Sequence, residues 1–297
     1  MATTQTRNDL FTAERIAGMI NKVKGHSSLA ILSSQEPVAF NGNEIFYFNL
    51  DKDIDIVDES GSKTPGGATI SKVKMLPVKV EYSARFSDEM WFSGEETQLN
   101  ILKEFTDGYA KKLARGLDLM AFHEVNPRTK TASDLISGKS FDSLVTQTIE
   151  YDATKVDDVL EDAIFLINNS NGVSTGIALS PVAGRDLSKV VVNGVRQYPE
   201  FRMGAHPDNL SGMKVDINET VSAVGGTQLY VGDFANAFKW GYAKNIGLQI
   251  HTAGDPDNSG RDLAGHNEIL LRSETYLGWG VLEPTSFARV VNPAVGG

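Results

Sequence analysis

The stretch from residue 95 to about 125 constrains the fold more than any other. Leu99, Leu102, Phe105, Tyr109, Leu113, Leu117 and Met120 recur at steps of three or four and therefore share one face of a single helix. At 1.5 Å per residue it would run roughly 45 Å, longer than typical globular helices and interrupted by Gly108 and Gly116. Such a helix acts as a strut.

Around the strut the periodicity changes. Thr12 caps and Gly25 stops a short amphipathic arm carrying Ile16, Met19, Ile20 and Val23. Over 44–87 the period is two: Ile45 to Phe48 feed the alternation Asp51, Lys52, Asp53, Ile54, Asp55, Ile56, and Val78 to Tyr82 alternate again. The polar, turn-forming run 58–67 lies between them, so these segments predict a long two-stranded extension. An isolated hairpin is marginal in water, and this one is expected to lie on something else. Beyond the loop at 126–129, a helix opened by Asp152 carries Val156, Val159, Leu160, Ala163 and Ile167 on one side and ends near Asn168 and Asn169. A short strand, Gly176–Leu179, then meets Ser180 and Pro181, an N-cap followed by proline at the first helical position. The region 193–228 is rich in turns. Leu229 to Val231 form a strand, 234–242 is expected to be helical, and 268–282 alternates as a long strand.

Composition removes whole classes of function. The chain of 297 residues is long enough for one large domain or two modest ones. With no cysteine there is no disulfide, thiolate metal site or cysteine nucleophile. A net charge of -10 has the wrong sign for tight DNA binding through phosphate neutralisation. No apolar run approaches the roughly 20 residues of a membrane helix, and residues 1–9 are polar without a hydrophobic signal core, so a soluble, non-exported chain is expected.

Several motifs have the spacing of chemistry but the wrong context. Gly172 to Gly176 match the G-x-S-x-G nucleophile elbow around Ser174, yet an elbow needs a strand before the serine and a helix after it, the reverse of the order here. Asp255 to Gly260 fit the first half of a calcium loop, but position twelve is His266 where a bidentate glutamate belongs, so a solvated surface loop is expected. Gly61 to Thr64 end like a phosphate loop whose first glycine is replaced by Ile56, and read as a turn. Asp51, Asp53 and Asp55 share one strand face, which suits a solvated or partner-facing edge better than a metal. His26, His123, His206, His251 and His266 show no paired ligand spacing and are expected to be structural. No catalytic residue, cofactor or metal is expected.

Segments in order along the chain resemble the major capsid proteins of tailed bacteriophages, the Hong Kong 97 type shell family. Residues 114–129 resemble the end of that family's spine helix and the loop after it. Residues 229–234 resemble its recurring V-G-D-F segment, and 270–274, 278–281 and 284–288 its closing strand and tail. The resemblance covers most of the chain except 185–225. It implies an α+β shell fold with an N-terminal arm (1–35), an extended loop with its supporting strands (36–82), a peripheral domain with the spine helix (83–149), an axial domain (150–267) and closing strands of the peripheral domain (268–297).

It further implies a structural, non-enzymatic protein of the virion. Copies assemble in the bacterial host cytoplasm into hexamers and pentamers of an icosahedral head around double-stranded DNA, with a portal as partner. Many members carry a long cleaved scaffolding segment, whereas Met1 here stands just ahead of the arm, so either a separate scaffolding protein acts or none is needed. Asp51, Asp53, Ile54, Asp55, Ile56, Lys63 and Pro65 of the extended loop become candidate intersubunit contacts, and Lys111, Lys112 and Arg115 candidate DNA-facing residues. Lysine-to-asparagine cross-linking, known in some relatives, is not carried over to Lys63, which has no partner motif. Two rivals remain: an encapsulin-like nanocompartment of the same fold enclosing protein cargo, and a soluble serine hydrolase using Ser174.

Overall fold

The structure, a computed structural model, describes residues 26–50 and 52–293. The arm helix expected over 12–25 and the candidate contact Asp51 lie outside the described residues.

In chain order the helices are α1 (Ser28–Leu32), α2 (Asp88–Phe92), α3 (Glu95–His123), α4 (Phe141–Leu144), α5 (Val156–Asn169) and α6 (Pro181–Leu187). The strands are β1 (Asn43–Leu50), β2 (Ala68–Met75), β3 (Val78–Ser87), β4 (Thr148–Glu150), β5 (Gly176–Leu179), β6 (Val191–Val192), β7 (Val195–Arg196), β8 (Asn209–Leu210), β9 (Met213–Ile217), β10 (Thr227–Gly232), β11 (Phe238–His251), β12 (Glu268–Val281) and β13 (Phe287–Val291). They make a six-stranded mixed sheet in the order β4-β13-β10-β5-β9-β8, a three-stranded antiparallel sheet in the order β11-β12-β3, and two hairpins, β1-β2 and β6-β7. Helix α5 covers the six-stranded sheet, while α3 runs beside the three-stranded one and reaches the other with its C-terminal half.

Helix α3 is the strut that the three-four spacing predicts, about 43 Å long at 1.5 Å per residue. Glu95 and Glu96 in its first turn complement the helix dipole, and Glu124 ends it in the left-handed region at φ 58°. Leu102, Phe105, Tyr109, Leu113, Leu117 and Met120 are buried as expected, whereas Leu99, which precedes the first buried position at Ile101, is 40% exposed. Helix α5 buries the predicted Val156, Val159, Leu160, Ala163 and Ile167. Its start differs: Asp152 does not open it. The Asp152 carboxylate accepts from the Thr154 amide in a local turn, and the helix begins after Lys155. Ser180 caps α6 as predicted, accepting from the Ala183 amide.

Two other expectations are corrected. Residues 234–242 are not a helix, since β11 begins at Phe238 and pairs with β12. Phe238 and Trp240 are both fully buried, a period-two pattern, and a Cβ on Gly241 would sit 1.6 Å from the Glu36 carbonyl oxygen, so the glycine is needed where the segment 35–38 runs parallel beside the strand, the Glu36 amide donating to the Trp240 carbonyl (2.8 Å). The second correction concerns the extension. Its two strands are β1 and β2, whereas Val78 to Tyr82 belong to β3 and pair with β12.

A chain of buried polar groups joins these layers. The Asp118 carboxylate, fully buried on α3, accepts from the Ser27 hydroxyl, the Ser28 amide (3.0 Å), the Leu29 amide (3.2 Å) and the Thr220 hydroxyl (2.7 Å). Burial pushes its carboxyl up to about 6, with those hydrogen bonds pulling the other way. The Thr220 carbonyl is 2.8 Å from His123 Nε2, and His123 Nδ1 is 2.7 Å from Asp142, which also accepts from the Tyr230 hydroxyl and Arg289. Over this joint Phe122 stacks on Tyr230 with ring centroids 4.5 Å apart. The start of the described chain, the helix and the six-stranded sheet are thus pinned at one place.

Candidate functional site

The β1-β2 hairpin carries the loop 52–67 at its end. Ile54 is 99% and Ile56 96% exposed, and Asp53, Asp55, Lys63 and Pro65 are exposed beside them. The part of the alternation that is described does not form a strand: residues 52–57 have no regular structure. A strand needs a partner to bond its backbone, and the return limb of this loop, with Gly61, Pro65, Gly66 and Gly67, is poorly suited to supply a ladder. Local bonds shape the loop instead. The Gly61 amide donates to the Asp58 carbonyl (2.8 Å), making the turn expected at Gly61, and the Thr64 hydroxyl donates to Asp55 (2.7 Å).

A cleft of about 590 Å³ opens between α3, the first half of β3 and the loop 126–136. Leu113, Leu119, Met120 and Ile136 line its interior, Leu113 and Met120 from α3's buried stripe. Exposed Lys112, Arg128 and Lys130 stand at its mouth, with Arg115 half-buried between them, and exposed Lys79 and Glu81 line it from β3. Arg115 pairs with Glu219 (3.1 Å), while Lys111 is exposed on the same helix outside the cleft lining. Lys130 has φ 60°, and its backbone amide donates a hydrogen bond to the Asn126 carbonyl (2.8 Å). Its ammonium is lowered by burial and by the charges of Arg115 and Lys112. Strand β3 is the outer strand of its sheet, so the backbone edge facing away from β12 has no neighbouring strand among the described residues. Arg128 and Lys130 were not singled out in the sequence, although two cations within the turn after the long helix are a legible sign.

The Asp255 loop is not simply solvated, as expected, but closed around a side chain. The Arg85 guanidinium donates to Asp255 (2.8 Å), Asp257, the Ser259 hydroxyl and the Arg261 carbonyl (3.1 Å), while its other terminal nitrogen bonds Glu268 (2.8 Å). The D-x-D-x-S-G pattern thus surrounds a cation supplied by the chain itself. Those partners raise Arg85 further, and Arg85 holds Asp257 well below the usual carboxylate range. The sequence offers the acids but not the arginine, which lies 170 residues away from Asp255.

Ser174 follows α5 and precedes β5, the order that rejects the elbow, and its Oγ is buried without a hydrogen-bond partner among the described residues. Both ring nitrogens of His123 are already engaged by Asp142 and Thr220. Among the described residues no group of three His, Cys, Asp or Glu side chains is placed to hold a metal, and no helix is long and apolar enough to cross a membrane.

No protein-family model and no curated protein matches the chain. Solved structures do. The chain is similar over 91% of its length to a chain of the capsid of an empty GTA particle (12% identity, 90% of that chain, TM-score 0.66), a likeness of fold. It is 30% identical to a chain from Mycobacterium phage Ogopogo over 90% of this chain and 92% of that one, with a TM-score of 0.76. The chain belongs to the major capsid proteins of tailed bacteriophages. A chain from Gordonia phage Cozz shares the fold at 23% identity and a TM-score of 0.71, covering 92% of this chain and 86% of that one. The capsid protein therefore has the α+β Hong Kong 97 type shell fold and is a structural component of the virion shell.

Proposed function

We propose that this capsid protein self-assembles into hexamers and pentamers of a closed icosahedral head enclosing double-stranded DNA, with a portal and, where needed, a separate scaffolding protein as partners. The observation that carries the reading is the hairpin: two isoleucines more than nine-tenths exposed at the end of a two-stranded extension. A monomer gains nothing from holding apolar groups there, whereas a repeated copy covers them. Asp51, Asp53, Ile54, Asp55, Ile56, Lys63 and Pro65 are the loop residues assigned to that contact. On this reading residues 1–35 act as an arm, 83–149 with the closing strands as a peripheral domain and 150–267 as an axial domain.

Electron microscopy of the purified chain tests the assembly. Rings or closed particles with five- and six-fold units are expected, and a strictly monomeric, folded protein at micromolar concentration contradicts it. Absorbance at 260 nm from the lumen of particles made during infection distinguishes a genome container from a shell around protein cargo.

A further inference from the structure

We propose that Asp118 is the positioning residue of the N-terminal arm: its carboxylate grips Ser27, Ser28 and Leu29 and so fixes the direction in which the residues before them leave the subunit, and closure of the shell depends on that direction. This deepens the assembly reading and rests on taking residues 1–35 as an arm. Three of the donors to the carboxylate are consecutive residues at the root of that arm. One oxygen takes the Ser27 hydroxyl and the Leu29 amide, the other the Ser28 amide and the Thr220 hydroxyl. Each oxygen therefore holds one main-chain amide of the root, and two points on a rigid carboxylate set an orientation as well as a position. The six-stranded sheet completes the grip. The Ser28 hydroxyl donates to Asp216 on β9, and the Asn218 side-chain amide donates to the His26 carbonyl (3.4 Å).

Attachment alone does not call for a carboxylate. Leu29, Ala30 and Leu32 are buried in the core they share with α3, and burying an ionised group carries a desolvation cost that apolar contacts avoid. Apolar burial is non-directional, however, whereas a hydrogen bond weakens steeply off its axis. The polar grip supplies geometry where the apolar contacts supply attachment. Downstream the chain is held independently, the Glu36 and Val38 amides donating to the Trp240 and Tyr242 carbonyls of β11. The grip therefore acts on what lies before residue 27.

Asp118→Asn keeps the side chain's shape but turns an NH2 group toward one of the two main-chain amides whichever way it faces, and Ser27→Ala removes the root's own hydroxyl. Direction is read with spin labels on His26→Cys and on Glu104→Cys, the latter exposed on α3, in a chain without native cysteine diluted into unlabelled protein. Distance measurement between the labels should give one narrow distribution when Asp118 and Ser27 are intact and a broadened one in both variants. In unlabelled chains both variants should lower particle yield about tenfold, as the loss of a buried hydrogen bond at the joint implies. Ile167→Ala, which loosens the separate core under α5, serves as the control that loses subunit stability and keeps its particles. A narrow distribution retained in Asp118→Asn would overturn the proposal and leave the shell reading intact. A broadened distribution with normal shells, or a particle loss that follows subunit stability equally in Ile167→Ala, would also overturn it. Absence of particles from the wild-type chain would overturn both.

Discussion

Helix α3 and the loop 52–67 satisfy their backbones in opposite ways. The helix bonds its amides to carbonyls four residues back and buries a stripe from Ile101 to His123 against two sheets. The loop makes a few local bonds within itself and presents its isoleucines to solvent. One region is complete in a single chain, and the other is an exposed surface that, on the proposed reading, meets another copy. In an assembling protein, the stability of the subunit and the specificity of the shell can therefore be carried by different residues.

Substitutions that probe the two regions should separate these roles, beginning with the largest effect. Asp118→Ala leaves four donors facing a void where a carboxylate stood and should destabilise the subunit by about 4 kcal/mol in urea unfolding, as expected when a buried charged acceptor is removed. The same variant reports on pH. The Asp118 carboxyl ionises near pH 6 in the folded chain and near 3.9 when unfolded, so the folded state holds its proton more tightly. The stability advantage of wild type over Asp118→Ala should therefore decline as pH rises from about 4 to about 6 and stay level above that. A rising difference would mean that the hydrogen bonds to the carboxylate outweigh its burial.

Leu117→Ala, at a fully buried position on the same helix, should cost about 3 kcal/mol, whereas Leu99→Ala at its exposed first turns should cost less than about 1 kcal/mol. Equal losses would mean that the helix is packed along its whole length. Arg85→Ala should speed hydrogen exchange at the Ser259 and Gly260 amides, which bond Asp255 inside the arginine-centred loop, without unfolding the three-stranded sheet. Chelator should leave wild-type melting unchanged, because the guanidinium already holds the cation position. Smallest of all, Ile54→Ser and Ile56→Ser should change subunit stability by less than about 0.5 kcal/mol each.

The contrast between the regions also explains what the sequence made legible. A helical period is a local property: Leu102 to Met120 fix α3 almost to its ends because the helix closes its own hydrogen bonds. A strand period states a capacity and not a partner. The alternation at Asp53 to Ile56 is real, but the hairpin formed from 43–50 and 68–75, and among the described residues no strand pairs with the alternating segment. At 234–242 the deciding fact was the backbone at Glu36 lying parallel beside Trp240 and Gly241, a contact as remote in sequence as the neighbouring bond from Lys239 to Ser34, 205 residues apart. Arg85 was hidden for the same reason. A loop of acids names a cation, and only the fold says which one.

The central claim, that the loop is an assembly element and not part of the subunit's own fold, is tested most directly by replacing residues 54–66 with a short glycine-serine turn. Particle yield by electron microscopy is then compared with circular dichroism of the same preparations. The account predicts a chain with an unchanged spectrum that no longer closes shells. Normal shells from the shortened chain, or a shortened chain that unfolds, would contradict it.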